Sequence, residues 1–155
     1  MEGCPGSRMQ DFRQKPQAKT EQTGTRESEL KQWPIQLHLV SPMAPYYAKA
    51  DVLLCADCVA YTVGDFHKDY LRDKSIAIAC PKLDEGLDTY EEKIVSLIDD
   101  AKINTLTVMT MQVPCCGGLV AIATNALAKA KRKIPVKSIV VSLQGDILQE
   151  EWLSN

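Results

Sequence analysis

Residues 105–120, TLTVMTMQVPCCGGLV, decide the predicted fold. The first half of the stretch is an apolar, β-branched run that predicts a buried strand. Pro114 ends this strand, because proline lacks the N–H that a strand ladder needs. Two adjacent thiols, Cys115 and Cys116, come next, and two glycines and a helical pattern of apolar residues follow them. The stretch therefore predicts a strand, a tight turn that carries two thiols, and a helix within one βαβ unit.

The position of this turn indicates what its thiols do. In α/β proteins ligands bind at the carboxyl ends of strands, beside the start of a helix. Backbone N–H groups and the positive end of the helix dipole favour thiolate over thiol at such a place. A soft-metal site or a redox site is therefore the first hypothesis for Cys115 and Cys116.

Strand and helix patterns alternate through the rest of the chain. Strands are predicted at residues 35–40, 51–57, 75–79, 105–113 and 138–143. One or two helical turns are predicted within 59–71, longer helices at 89–103 and from 119 to the basic run at 129–133, and a short closing segment at 147–152. The loop at 41–50 is short for a parallel crossover, so the place of the first strand in the sheet stays open. This alternation predicts an α/β fold: a mainly parallel sheet of four to five strands with helices on both faces, a three-layer sandwich.

Length and composition predict one domain of ordinary size. Residues 1–30 are polar and charged and are predicted to be a flexible N-terminal tail with a GCPGS turn, whereas residues 31–155 form a single α/β domain that holds the cysteines. The net charge of -2 gives no electrostatic reason to expect nucleic acid, and no apolar run is long enough to cross a membrane. We therefore expect a cytoplasmic protein, in which six cysteines indicate metal ligands or redox thiols more than disulfides.

The cysteines fall at equivalent points of the predicted strands. Cys58, Cys80 and the pair Cys115 and Cys116 each come just past the carboxyl end of a different strand. In a parallel sheet these ends lie on one edge, with neighbouring strands about 4.8 Å apart. Four thiolates without an excess of carboxylate or histidine suit zinc or an iron–sulfur cluster. We predict these four cysteines as the ligands.

Four other residues are candidate contributors to the site. Cys4, on the GCPG turn, would supply a fifth thiol, although an exposed cysteine in a tail is the competing interpretation. His67 would be a ligand or a donor behind the ligands, and the alternative is a histidine that simply packs or stays exposed. Gly117 and Gly118 would let backbone N–H groups approach cluster sulfurs closely. Cys55 lies inside a predicted strand and is expected to be a small buried hydrophobe.

Several motifs of the chain resemble those of a known family. They are QWPIQLHLVSPMAPYYAKADVLLCADC at 32–58, FHKDYL at 66–71, ACPKLD at 79–84 and QVPCCGG at 112–118. Residues 32–148 are similar to the C-terminal domain of ferredoxin-type 4Fe-4S proteins of anaerobic microbes. In that family a ferredoxin module precedes this domain through a GCPGS linker, which matches residues 3–7. The ferredoxin module has no counterpart in this sequence, so the chain is a stand-alone version or a C-terminal piece.

This resemblance implies a function that the residues alone leave open. It implies a [4Fe-4S] cluster, electron transfer in an anaerobic pathway, and a ferredoxin or ferredoxin module as the redox partner. The protein would then be an oxidoreductase component for which no substrate is implied. Two alternatives remain: a metal-free thiol-redox enzyme or sensor that uses Cys115 or Cys116, and a structural zinc domain that docks on a redox partner. Nucleotide binding is disfavoured, because neither a dinucleotide-binding glycine fingerprint nor a P-loop occurs.

Overall fold

A computed structural model describes residues 9–11, 13 and 24–154 of the chain. The strands are β1 Gln10–Asp11, β2 Gln32–Trp33, β3 Asp51–Ala56, β4 Ser75–Ala79, β5 Thr105–Met111, β6 Val136–Val141 and β7 Ile147–Ser154. The helices are α1 Val59–Thr62, α2 Leu87–Asp99 and α3 Gly117–Lys129. Short 3-10 turns lie at Pro45–Tyr47 and Pro114–Cys116, and a π-helical turn lies at His67–Leu71. No helix in the described part of the chain is long and apolar enough to cross a bilayer.

Five strands form the main sheet in the order β4-β3-β5-β6-β7. The first four are parallel, and β7 runs antiparallel to β6 as a full strand rather than the short segment expected. Helices α2 and α3 pack side by side. The right-handed rule for parallel crossovers puts them on one face of the sheet and the β3–β4 connection on the other. The predicted α/β fold, a mainly parallel sheet with helices on both faces, is confirmed.

The core lies between the central strands and the long helices. Strands β3 and β5 are buried along almost their whole length, because they are covered on both faces. Helix α2 buries the residues whose spacing predicted its inner face, Tyr90, Ile94, Leu97 and Ile98. Apolar periodicity therefore identified the elements that hold the centre of the domain.

The prediction of a strand at 35–40 is wrong. Only Gln36 pairs with the sheet, through an isolated parallel bridge to Ile78 on the outer side of β4. The chain then turns, since the N–H groups of Leu39 and Val40 both donate to the Gln36 carbonyl. The alternating apolar pattern predicted an inward Leu39, but this side chain is 49% exposed.

The Gln32 side chain makes two of the hydrogen bonds to β4 that a neighbouring strand was expected to make. Gln32 is buried, its amide nitrogen donates to the Ile76 carbonyl at 2.8 Å, and its amide oxygen accepts the Ile76 N–H at 2.7 Å. This pair of bonds satisfies backbone groups on the outer side of β4 without a continuous neighbouring strand.

Residues before the predicted boundary at residue 31 already contact the domain. Strand β1 pairs antiparallel with β2, and Arg26 forms an ion pair with Asp65 at 3.0 Å. The N–H of Glu29 donates to Nδ1 of His67 at 3.0 Å. The rest of the predicted tail, with the GCPGS turn and Cys4, lies outside the described residues.

Candidate cysteine site

Four thiols lie along the carboxyl edge of three adjacent strands. Cys80 directly follows β4, Cys58 follows β3 by two residues, and the turn with Cys115 and Cys116 begins three residues after β5. The strand order β4-β3-β5 puts Cys58 between the other two segments. Strands β3 and β5 also flank the point where the order of the sheet reverses, which is where open α/β sheets hold ligands. The structure therefore brings the predicted segments to one edge.

The CPKLD segment forms a hydrogen-bonded turn around Cys80. The Asp84 N–H donates to the Cys80 carbonyl at 2.9 Å, and the Asp84 carboxylate accepts the Cys80 N–H at 2.9 Å. The Tyr90 hydroxyl, from α2, donates to the same carboxylate. The Leu83 N–H donates to the Cys80 sulfur at 3.4 Å. The turn thus fixes the Cys80 thiol at the edge and aims a backbone donor at its sulfur.

The Cys80 turn packs against the start of α3. A Cβ placed on Gly118 would lie 3.2 Å from Cβ of Pro81, whereas a Cβ on Gly117 would meet nothing within 4 Å. The absence of a side chain at Gly118 therefore lets the two thiol segments approach. The sequence predicted that both glycines expose backbone N–H groups, and it missed this packing role.

Cys115 and Cys116 occupy different environments on the turn before α3. Cys115 is exposed, whereas Cys116 is buried. Burial raises the pKa of the Cys116 thiol above its ordinary value, and a hydrogen bond to the Met111 backbone only partly offsets that effect.

Cys55 lies below the edge, inside β3. It pairs with Ile78 of β4 and Met109 of β5, and it is 1% exposed. Burial raises the pKa of its thiol, and the neighbouring Asp57 and Cys116 add to the shift. The prediction of a buried cysteine within a strand is confirmed.

His67 makes its hydrogen bond away from these thiols. Its Nδ1 accepts the Glu29 N–H, and the Glu29 carboxylate forms an ion pair with Arg72 at 3.1 Å. The turn that carries His67 leads to the amino end of β4, opposite the cysteine edge. None of its described contacts is to a cysteine.

Sequence reasoning missed two carboxylates beside the thiols, Asp57 and Asp84. Asp57 directly precedes Cys58, and its Oδ1 is buried without a hydrogen-bond partner in the described part of the chain. Burial raises the pKa of Asp57, and Asp84 raises it further. The sequence signal for both was their position: Asp57 directly precedes Cys58, and Asp84 follows Cys80 by four residues. Among residues 9–11, 13 and 24–154, no three His, Cys, Asp or Glu side chains are grouped closely enough to share one metal ion.

Comparison with known proteins places this edge in a familiar fold. Residues 44–154 match the family described as Rossmann-like domain. The chain therefore belongs to the Rossmann-like domain family. An Archaeoglobus fulgidus protein, named only as uncharacterized, is 30% identical over 120 residues, which cover 77% of this chain and 83% of that protein. No solved structure matches the chain.

Proposed function

We propose that the protein is an iron–sulfur redox protein that carries electrons in an anaerobic pathway of the cytoplasm. Cys58, Cys80, Cys115 and Cys116 would hold a cluster of the [4Fe-4S] type. The observation that carries this proposal is that three separate segments deliver four thiols to one edge of the sheet. Thiolates of cysteine are the usual ligands of such clusters.

The spacing of the strands that lead to the thiols favours a cluster over a single zinc ion. Zinc–sulfur bonds are about 2.3 Å long, so two thiolates on one zinc lie at most about 4.6 Å apart. Cys80 and Cys115 follow strands that are two spacings apart, about 9.6 Å at the edge. A cluster binds its thiolates through separate iron atoms and therefore accommodates the wider spacing.

The chain supplies hydrogen-bond donors around such a cluster and leaves one side of the site open to the surface. The Leu83 N–H points at the Cys80 sulfur, and the Met111 backbone hydrogen-bonds Cys116. Such donors stabilise negative charge on sulfur and tune the reduction potential. Cys58 and Cys115 are exposed, so one side of the site faces the surface. A bound cluster would accept and release single electrons there.

The motif resemblance supports the same proposal. The CPKLD and PCCGG segments are the ones that form the Cys80 turn and the turn before α3. Both resemble stretches of ferredoxin-type 4Fe-4S proteins, which suggests a ferredoxin or ferredoxin module as the electron donor.

Anaerobic production with iron, followed by iron, sulfide and zinc analysis, tests the proposal. We expect brown protein with broad visible absorption and near-equal amounts of iron and acid-labile sulfide. Cys80→Ser should lose most of both, whereas Cys55→Ser should keep them. A colourless, folded protein with stoichiometric zinc would instead establish a structural zinc domain. A colourless, metal-free protein whose Cys115 reacts rapidly with disulfides would establish a thiol-redox function.

A further inference from the structure

Exposed apolar side chains gather at the edge that carries the thiols. Ten large apolar residues in the described part of the chain are exposed, and five of them follow the carboxyl end of a parallel strand. We call these five the thiol rim: Tyr61, Leu83, Leu143, Ile147 and Leu148. Tyr61 is 93% exposed and Leu83 is 80% exposed. Groups of exposed apolar side chains on soluble domains mark interaction surfaces.

Two residues of the thiol rim, Tyr61 and Leu83, lie on two different thiol segments. Tyr61 lies on α1, three residues after Cys58. Leu83 lies in the Cys80 turn and donates its N–H to the Cys80 sulfur. The rim is therefore built on the same two turns that carry these thiols, and a protein resting on it would lie over them.

The β6–β7 hairpin extends the thiol rim on the side of β5. The Leu143 N–H donates to Oε1 of Gln112 at 2.9 Å, just before the turn with the paired cysteines. Gly145 has φ 93° and packs so closely on the Thr62 carbonyl that a Cβ would collide with it. This contact holds the hairpin against α1, so the rim residues of the hairpin lie beside the helix that carries Tyr61.

Formal charge differs between the two edges of the sheet. The loops at the thiol edge, 57–58, 80–86, 112–116 and 142–146, hold four carboxylates and one lysine, a net charge of -3. The loops at the opposite edge, 48–50, 72–74, 100–104 and 130–135, hold seven lysines and arginines and two aspartates, a net charge of +5. The apolar rim thus lies in the acidic half of a polarised molecule.

We propose that the thiol rim is the docking surface for a redox protein that presents a basic face. This inference rests on the proposed function, since the partner would exchange one electron with the thiol site. Opposite charges would steer and orient the encounter, and the apolar contacts would exclude water between the two redox groups. A second copy docked rim to rim about a two-fold axis would bring two acidic edges together, and nucleic acid would meet the same repulsion. A basic protein partner is the occupant that this charge pattern favours.

Electron transfer to a cationic haem protein tests the docking surface. Chemically reduced protein is mixed anaerobically with ferric cytochrome c, which has a basic face, and haem reduction is followed by stopped flow. One electron leaves the thiol site and reduces the ferric haem to the ferrous state. We expect the second-order rate constant to fall on the order of tenfold between low and high salt. Leu148→Ser and Tyr61→Ser should each lower the low-salt rate several-fold.

Controls separate docking from damage to the site. A small uncharged quinone should be reduced at the same rate by every variant, and iron content should stay unchanged. Trp152→Ser replaces an exposed aromatic residue at the other end of β7, opposite Lys137 at the start of β6, and should leave the cytochrome rate unchanged. The docking surface would be overturned if the protein has its normal iron content but the rate of cytochrome reduction changes neither with salt nor with the rim substitutions. Sedimentation showing a dimer that Leu148→Ser dissociates would assign the rim to a second copy instead. Absence of iron would overturn the proposed function itself.

Discussion

Gly118 at the start of α3 lies directly against Pro81 of the Cys80 turn. A Cβ at residue 118 would stand 3.2 Å from the Pro81 Cβ, so the neighbouring turn would have to shift by a few tenths of an ångström. This contact joins the segment that carries Cys80 to the segment that carries Cys116. The separation of the two thiol segments therefore depends on a residue without a side chain.

If the proposed cluster is present, Gly118→Ala should lower its content, and Gly117→Ala should not. The added methyl at 118 displaces the Cys80 turn, whereas a methyl at 117 enters open space. Both substitutions place alanine in the first turn of α3, where it favours the helix by up to about 1 kcal/mol. A weaker helix therefore cannot explain a loss at 118. Iron and sulfide per chain after anaerobic purification measure the effect, and equal contents in the two variants would contradict it.

Cys55→Ala should keep the full cluster, and Cys58→Ala should lose or degrade it. Cys55 is enclosed in β3, whereas Cys58 is exposed on the turn that follows the end of this strand at Ala56. Removing its small buried sulfur should cost at most about 1 kcal/mol of unfolding free energy. Visible absorption together with iron analysis distinguishes the two variants. If both lose iron equally, the site uses a Cys-x-x-Cys knuckle that the strand assignment does not allow.

His67→Ala should weaken the fold and leave iron binding intact. The ring nitrogen accepts the Glu29 N–H, and its loss leaves that partly buried donor without a partner. We expect a decrease of about 1 kcal/mol in the free energy of unfolding, measured by urea titration. Lys68→Ala, at an exposed neighbour on the same turn, is the control and should change little. A loss of iron in His67→Ala without a loss of stability would assign the imidazole to the site.

Gly145→Ala should destabilise the domain, whereas Gly64→Ala should be tolerated. Gly145 has a positive φ, and an added Cβ would collide with the Thr62 carbonyl oxygen. Gly64 has open space around its Cα. A strained backbone and a steric clash together should cost about 2 kcal/mol or more of unfolding free energy. Urea unfolding of both variants measures this cost, and similar midpoints would show that the hairpin moves away from α1 at little expense.

Local composition was sufficient to predict the central strands of the sheet. The runs that form β3, β4 and β5 are apolar because parallel strands are covered on both faces, and that requirement is written in consecutive residues. The position of each predicted cysteine ligand just past a strand end could be inferred in the same way. Residues 35–40 show the limit: they carry an alternating apolar pattern, yet a turn forms there. Gln36 pairs with Ile78, only one residue before β4 ends at Ala79, so little of the strand remains for the following residues to pair with.

The sequence by itself determined the α/β class, the central strands and the three strand ends that carry Cys58, Cys80 and the paired cysteines. Only the tertiary structure decided that Cys58 lies between the other two segments and that Gly118 meets Pro81. It also decided that Asp84 anchors the Cys80 turn by bonding to Tyr90 of α2. The physical reason is the distance along the chain between the residues that interact. Hydrophobic periodicity records what each segment buries, whereas strand order and contacts between segments depend on packing of residues far apart in the chain.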